Sequence, residues 1–133
     1  MKLAYFMDIP LEEVNIEGAK NVKIRWLISK KDNAPHFAMR MFEVEPDGFT
    51  PYHTHEWEHE VFVLQGTGSL VSKDGEKEFK QWDVMFVPPN ETHQFRNTGN
   101  DLLRFLCIIP HPEQIKKPEK RKNPLQGKTV STC

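Results

Sequence analysis

Half of the six histidines in this chain lie in one segment, Pro51-Tyr-His-Thr-His-Glu-Trp-Glu-His-Glu-Val-Phe-Val-Leu-Gln-Gly66. In an extended strand, side chains two residues apart point to the same face, so the rings of His53 and His55 are close enough to share an ion. A straight strand would carry His59 about 13 Å beyond His55. The segment therefore predicts a pair of metal ligands, with a bend in the chain if His59 is to join them.

A second segment reads Trp82-Asp-Val-Met-Phe-Val-Pro-Pro-Asn-Glu-Thr-His-Gln-Phe-Arg-Asn97. Its apolar run is stopped by two prolines, and the chain then turns through Asn90. This turn places His93 at the start of another short strand. His93 is therefore the fourth candidate ligand.

Together, the two segments resemble the paired motifs of the cupin family. The first motif, which reads Gly, His-x-His, Glu and Gly, maps to Gly48, His53, His55, a further ligand position and Gly66. The second motif maps to Trp82, Pro88, Asn90, His93 and Asn97. Trp82 and Asn90 stand where the family has glycine, and asparagine tolerates the left-handed turn conformation nearly as well as glycine. The turn at Asn90 is therefore expected to form.

The glutamate position of the first motif has two candidates, since His59 follows His55 after three residues and Glu60 after four. Neighbouring residues on a strand face opposite ways, so only one of them can reach the ion. Six residues separate His59 from Gly66 and five separate Glu60 from it, and the family spacing favours His59. The set His53, His55, His59 and His93 then resembles the site of the small four-histidine monocupins, with Glu60 as the alternative.

The chain reads as a single all-β domain, residues 1–115, followed by a basic extension, residues 116–133. Short alternating strands are predicted at residues 22–29, 36–45, 60–65, 67–72, 84–87, 93–97 and 102–109, with a hairpin at Asp74-Gly75. Residues 2–7 are predicted to form an edge strand or a strand lent to a partner. Many short strands at close intervals favour a jelly-roll barrel, and the cupin resemblance implies the same fold.

Composition and charge exclude several classes of protein. The chain is 38% hydrophobic and 28% charged, as in globular proteins, and no apolar run is long enough for a membrane span. Residues 1–115 hold 12 Lys/Arg against 18 Asp/Glu, so nucleic acid is not the expected partner. With only Cys107 and Cys133, and no secretion signal, we expect no disulfide framework and a cytoplasmic location.

Other side chains are candidates for the pocket around the ion. Phe95 shares strand parity with His93, and Phe105 shares it with Cys107; core packing is the alternative for these side chains. Arg40 is flanked by apolar residues, which suggests either an anchor for a substrate carboxylate or an exposed arginine on the outer sheet. Trp57 and Glu58 either orient a ligand histidine or are plain turn residues. His36 and His111 match no motif and are predicted to be surface residues.

Four neutral imidazoles leave a divalent ion with its full charge, which favours an anionic or oxygenated small molecule as substrate. We expect one ion per chain, with Mn or Fe favoured and Zn, Ni or Cu as alternatives, and a dioxygenase-like oxidoreductase as the function. The alternatives are a redox-independent isomerase, lyase or cyclase, and a non-enzymatic binding protein. The cupin resemblance and the apolar start, residues 3–7, also suggest a homodimer.

Overall fold

The structure is a computed structural model, and it describes residues 1–114. The predicted boundary after residue 115 and the basic extension at 116–133 lie outside the described residues. The described strands are β1 (Glu12–Glu13), β2 (Lys20–Ile28), β3 (Phe37–Phe49), β4 (His59–Gln65), β5 (Thr67–Ser72), β6 (Gly75–Lys80), β7 (Val84–Val87), β8 (His93–Asn97) and β9 (Leu103–Pro110). Three 3-10 helices accompany them, at Phe6–Asp8, Lys30–Asp32 and Pro112–Gln114. Within residues 1–114, no helix has the length and apolar character needed to cross a membrane.

The nine described strands form one antiparallel sheet in the order β6-β5-β8-β3-β9-β4-β7, with β2 added to β3 and β1 to β2. The sheet curls because β3, at 13 residues, pairs with β9 along one part and with β8 near its end. Alternate residues of β4, β8 and β9 are buried in the interior, and Phe42, Phe95 and Phe105 are fully buried there. The predicted all-β barrel is confirmed.

The turns follow the local signals in the sequence. Gly75, in the hairpin between β5 and β6, has a φ of 117°, and Asn90 has a φ of 65°. Trp82, the other residue at a glycine position of the second motif, has a φ of 77°, which is unusual for a bulky side chain. Both motif positions therefore adopt the glycine-like conformation without glycine.

Three expectations were wrong in detail. Residues 2–7, predicted as a strand, are irregular and lead into the 3-10 helix at Phe6–Asp8. This segment packs on the outside of the sheet, where the guanidinium groups of Arg25 and Arg104 lie 5.3 and 5.4 Å from the Phe6 ring. Strand β3 continues past residue 45 to Phe49, because Phe49 pairs with Lys20 of β2. His111 is buried, not on the surface, because its Nε2 lies 2.8 Å from the carbonyl oxygen of Ala34.

Candidate metal centre

Backbone hydrogen bonds bring the two histidine segments together. The N–H of His53 donates to the carbonyl of His93 at 3.1 Å, and the N–H of His93 donates to the carbonyl of His53 at 2.9 Å. The N–H of Asn90, in the left-handed turn, donates to the carbonyl of His55 at 2.6 Å. The turn chemistry of the second segment is therefore what places His93 beside the His-x-His pair.

Three imidazoles converge at this junction. One ring nitrogen from each of His53, His55 and His93 lies within 4.8 Å of the others. The Nε2 atoms of His53 and His55 are 3.1 Å apart, and their ring centroids are 4.2 Å apart. His55 and His93 are buried and His53 is half-buried. Imidazole nitrogens are common ligands of Zn, Fe, Cu and Ni, so this group could hold a metal ion.

The hydrogen bonding of His93 fixes which of its nitrogens faces the cluster. Its Nδ1 lies 2.9 Å from the carbonyl oxygen of Glu91, and a carbonyl oxygen only accepts, so Nδ1 carries the proton. The Nε2 atom then has a free electron pair, and it is buried with no hydrogen-bond partner. This arrangement suits a metal ligand, since the second ring nitrogen of such histidines usually donates to a fixed acceptor.

His59, the fourth predicted ligand, lies beside the group of three but is not part of it. Its ring centroid is 4.8 Å from that of His93 and 5.3 Å from that of His55. Its Nε2 is buried without a hydrogen-bond partner, and its Nδ1 lies 3.1 Å from Sγ of Cys107. Glu60, the alternative ligand, is exposed on the opposite face of β4.

Burial keeps His59 and His93 neutral. Loss of hydration, together with the nearby positive charge of Arg40, lowers the pKa of His59 to about 2. Burial also lowers the pKa of His93. Both rings are therefore unprotonated near pH 7, which is the form that binds metals.

The predicted pocket residues surround the histidines. The Phe95 ring lies 5.7 Å from that of His93 and 4.9 Å from that of Phe105. Arg40 is fully buried, not exposed on the outer sheet, and its Nη2 donates to Sγ of Cys107 at 3.0 Å. Whether Arg40 binds a substrate carboxylate stays a prediction.

Trp57 was predicted either to orient a ligand histidine or to be a plain turn residue. It is buried, and its indole stacks on the His55 ring at 4.5 Å with an angle of 4° between the planes. It therefore orients the ring of His55 by stacking.

Comparison with known proteins identifies the family. Residues 40–109 match the cupin domain family, and these 70 positions are more than half of the 133-residue chain. The chain belongs to the cupin family. The matched range contains the four candidate metal ligands and the predicted pocket residues Arg40, Phe95, Phe105 and Cys107.

Three proteins to which the chain is similar are named for different activities or ligands. The chain is similar to the polyketide cyclase RemF from Streptomyces resistomycificus, with 39% identity, a TM-score of 0.79, and coverage of 83% of this chain and 79% of that one. It is 34% identical over 100 residues to the oxalate-binding protein of Thermotoga maritima, covering 71% of this chain and 81% of that protein. A predicted oxalate decarboxylase from Thermotoga maritima shares 28% identity with a TM-score of 0.73, covering 82% of this chain and 98% of that one.

In this cupin, the two sequence motifs identified the four candidate histidines, but some of the contacts that these histidines make were not predicted. Cys107 was predicted to be a pocket residue, but its contact with His59, 48 residues away, was not predicted. The contact of His93 with the carbonyl of Glu91 was not predicted either, because a backbone acceptor leaves no signal in residue identity. The stacking of Trp57 on His55 could have been predicted from one feature of the sequence, the spacing of two residues between them.

Proposed function

We propose that this cupin binds one divalent metal ion through His53, His55, His59 and His93 and uses it on a small oxygenated substrate. The main support is the group of three imidazoles within 4.8 Å, with the buried Nε2 of His59 beside it. Buried polar atoms without partners are rare in folded proteins. A metal ion would supply the missing partner for the Nε2 atoms of both His59 and His93.

Strand parity supports His59 over Glu60 as the fourth ligand. His59 is fully buried on the inner face of β4, whereas Glu60 is exposed on the outer face. With four neutral imidazoles and no carboxylate, the ion keeps its full charge. The site would then favour anionic substrates that present two neighbouring oxygen atoms.

We favour a redox-independent reaction, such as a cyclisation or isomerisation. A divalent ion held by these histidines would supply Lewis acidity, which can polarise a carbonyl oxygen. Two similar proteins are named for substrates rich in oxygen, a polyketide cyclase and an oxalate-binding protein. Two of the chain's own side chains hold the donor rings in place, since Trp57 stacks on His55 and the buried Phe95 contacts His93.

The thiol of Cys107 also supports chemistry without oxygen. It is a free cysteine, fully buried, 3.1 Å from Nδ1 of His59. Thiols close to activated oxygen species are oxidised. The dioxygenase-like oxidoreductase is the second candidate, supported by the neutral nitrogen ligands, which also suit Fe(II).

Elemental analysis of protein purified without added metal tests the site first. We expect one equivalent of a divalent ion per chain, and less than one in His59→Ala and His93→Ala. The exposed His36 offers the matched control, since His36→Ala should keep the full equivalent. Full metal content in His59→Ala would contradict the four-histidine assignment.

Turnover separates the candidate reactions. Zinc-loaded protein should convert a linear polyketone to a cyclised product under anaerobic conditions. Oxygen uptake by the iron or manganese form, with no anaerobic turnover, would replace this proposal with the oxidoreductase. Stable capture of oxalate with no product from any substrate would leave only a binding protein.

We also propose that the protein forms a homodimer through the outer face of β3, β9, β4 and β7. Strand register places two rows on this face, Met39-Ile108-Glu60-Phe86 and Met41-Leu106-Phe62-Val84. All but Glu60 are apolar, and Val84, Phe86 and Phe62 are 75%, 58% and 36% exposed. Trp82, 61% exposed, extends the face, its ring 5.8 Å from that of Phe62.

The exposed aromatic residues of this face suit the apolar centre of an interface with a second copy of the chain. An aromatic side chain has roughly 200 Å² of surface, so the three exposed aromatic residues alone present roughly 300 Å². A stable interface buries about 800 Å² on each partner, with an apolar centre. Light scattering should give twice the chain mass, and Phe86→Lys should yield monomers, whereas Ile16→Lys at another exposed position should not. A monomeric wild type would refute the proposal.

A further inference from the structure

The two ring nitrogens of His59 have different surroundings. Nε2 is buried without a hydrogen-bond partner next to the other three imidazoles, and Nδ1 lies 3.1 Å from Sγ of Cys107. A neutral imidazole carries one proton, so Nε2 can donate its electron pair to a metal only when the proton is on Nδ1. When the proton is on Nδ1, the sulfur of Cys107 is in position to accept a hydrogen bond from it.

The sulfur is itself held in place by Arg40. Nη2 of Arg40 lies 3.0 Å from Sγ, and a guanidinium group only donates hydrogen bonds. Arg40 and Cys107 are directly paired residues of β3 and β9, and both are fully buried. Arg40 is further fixed between aromatic rings, 5.0 Å from Phe42 and 5.6 Å from Trp26. The sulfur of Cys107, the acceptor for His59, is therefore held in position by its contact with Arg40.

We propose that Cys107, with its sulfur held by Arg40, is the positioning residue for His59. It accepts the Nδ1 proton, fixes the angle of the ring and keeps Nε2 directed at the other histidines. This inference rests on the proposed metal site and adds a residue that lies outside the ligand set. Outer acceptors of this kind typically change metal affinity by 10- to 100-fold.

The competing explanation is that Cys107 only fills space in the core. It belongs to the buried apolar cluster around Phe105, where a free cysteine behaves as a small hydrophobic residue. The two explanations predict opposite rankings for two substitutions. Cys107→Val keeps the apolar volume and removes the acceptor, whereas Cys107→Ser keeps an acceptor and sacrifices apolar packing.

The experiment measures zinc affinity of the full-length wild type and both variants by competition with a chelator, and the thermal midpoint of each metal-free form. If Cys107 positions His59, Cys107→Val binds zinc about 10- to 100-fold more weakly although its thermal midpoint is the higher of the two variants. Cys107→Ser binds zinc more tightly than Cys107→Val in spite of its lower midpoint. The inference is overturned if Cys107→Val binds zinc as tightly as the wild type. It is also overturned if the variant with the lower thermal midpoint is the one that binds zinc more weakly.

A second readout reports on the hydrogen bond itself. In zinc-loaded protein labelled with ¹⁵N at histidine, the Nδ1 proton of His59 should exchange slowly with solvent in the wild type and in Cys107→Ser. It should exchange faster in Cys107→Val, and an unchanged rate would count against the role of the sulfur. A wild type that binds no zinc would refute the metal site and this inference together, whereas tight zinc binding without turnover would refute only the proposed reaction.

Discussion

Acidification should destabilise the metal-free protein because the buried His59 resists protonation. Burial lowers the pKa of this side chain from 6.5 to about 2. Between these two values the unfolded chain binds one proton that the folded chain does not, so the free energy of unfolding falls as the pH falls. The stabilisation is complete above pH 6.5 and is lost progressively below it.

The magnitude follows from the size of the shift. One proton difference changes the free energy of unfolding by about 1.4 kcal/mol for each pH unit. Between pH 6.5 and pH 4, His59 alone should therefore remove about 3 kcal/mol, a large part of the 5–15 kcal/mol typical of a domain. Burial also lowers the pKa of His93, which adds to the loss in the same direction.

Urea unfolding of EDTA-treated protein at several pH values between 4 and 7 provides the assay. His59→Gln removes the titrating group, so its free energy of unfolding should fall less steeply with decreasing pH than that of the wild type. His36→Gln, at an exposed position, should keep the wild-type slope. Equal slopes for His59→Gln and wild type would show that the ring of His59 is hydrated in solution and would contradict its burial.

Three further predictions concern stability. Asn97→Ala should lower the free energy of unfolding by about 3 kcal/mol in urea titrations, because the side chain makes three hydrogen bonds with backbone groups; a loss below about 1 kcal/mol would contradict this. Gly66→Ala should lower the free energy of unfolding by about 1–3 kcal/mol more than Gly75→Ala. Both glycines have positive φ, but only at Gly66 would a Cβ atom lie 2.8 Å from a backbone atom, so equal losses would refute this crowding. Zinc at 100 times its dissociation constant should raise the stability of the EDTA-treated protein by about 2.7 kcal/mol, and an unchanged thermal midpoint would exclude the site.

The sequence by itself determined the parts of this protein that follow local rules. The residue pattern predicted the ends of β2, β4, β5, β7, β8 and β9 to within two residues. The turns at Asp74-Gly75 and Asn90 adopt the expected positive φ, at Gly75 and Asn90 respectively. The spacing of His53 and His55 also predicted two rings on one face, and their centroids lie 4.2 Å apart. Such features depend on residues within a few positions of one another, so a single sequence is enough to read them.

The tertiary structure decided which side chains meet across strands that are distant in the sequence. Cys107 reaches both Arg40, 67 residues away, and His59, 48 residues away, because β3, β9 and β4 are neighbours in the sheet. The burial of His111 and the packing of Phe6 under two arginines depend on contacts of the same kind. Which strands become neighbours is settled by the packing of the whole barrel, because the hydrophobic pattern of one strand shows its buried face but not its partner.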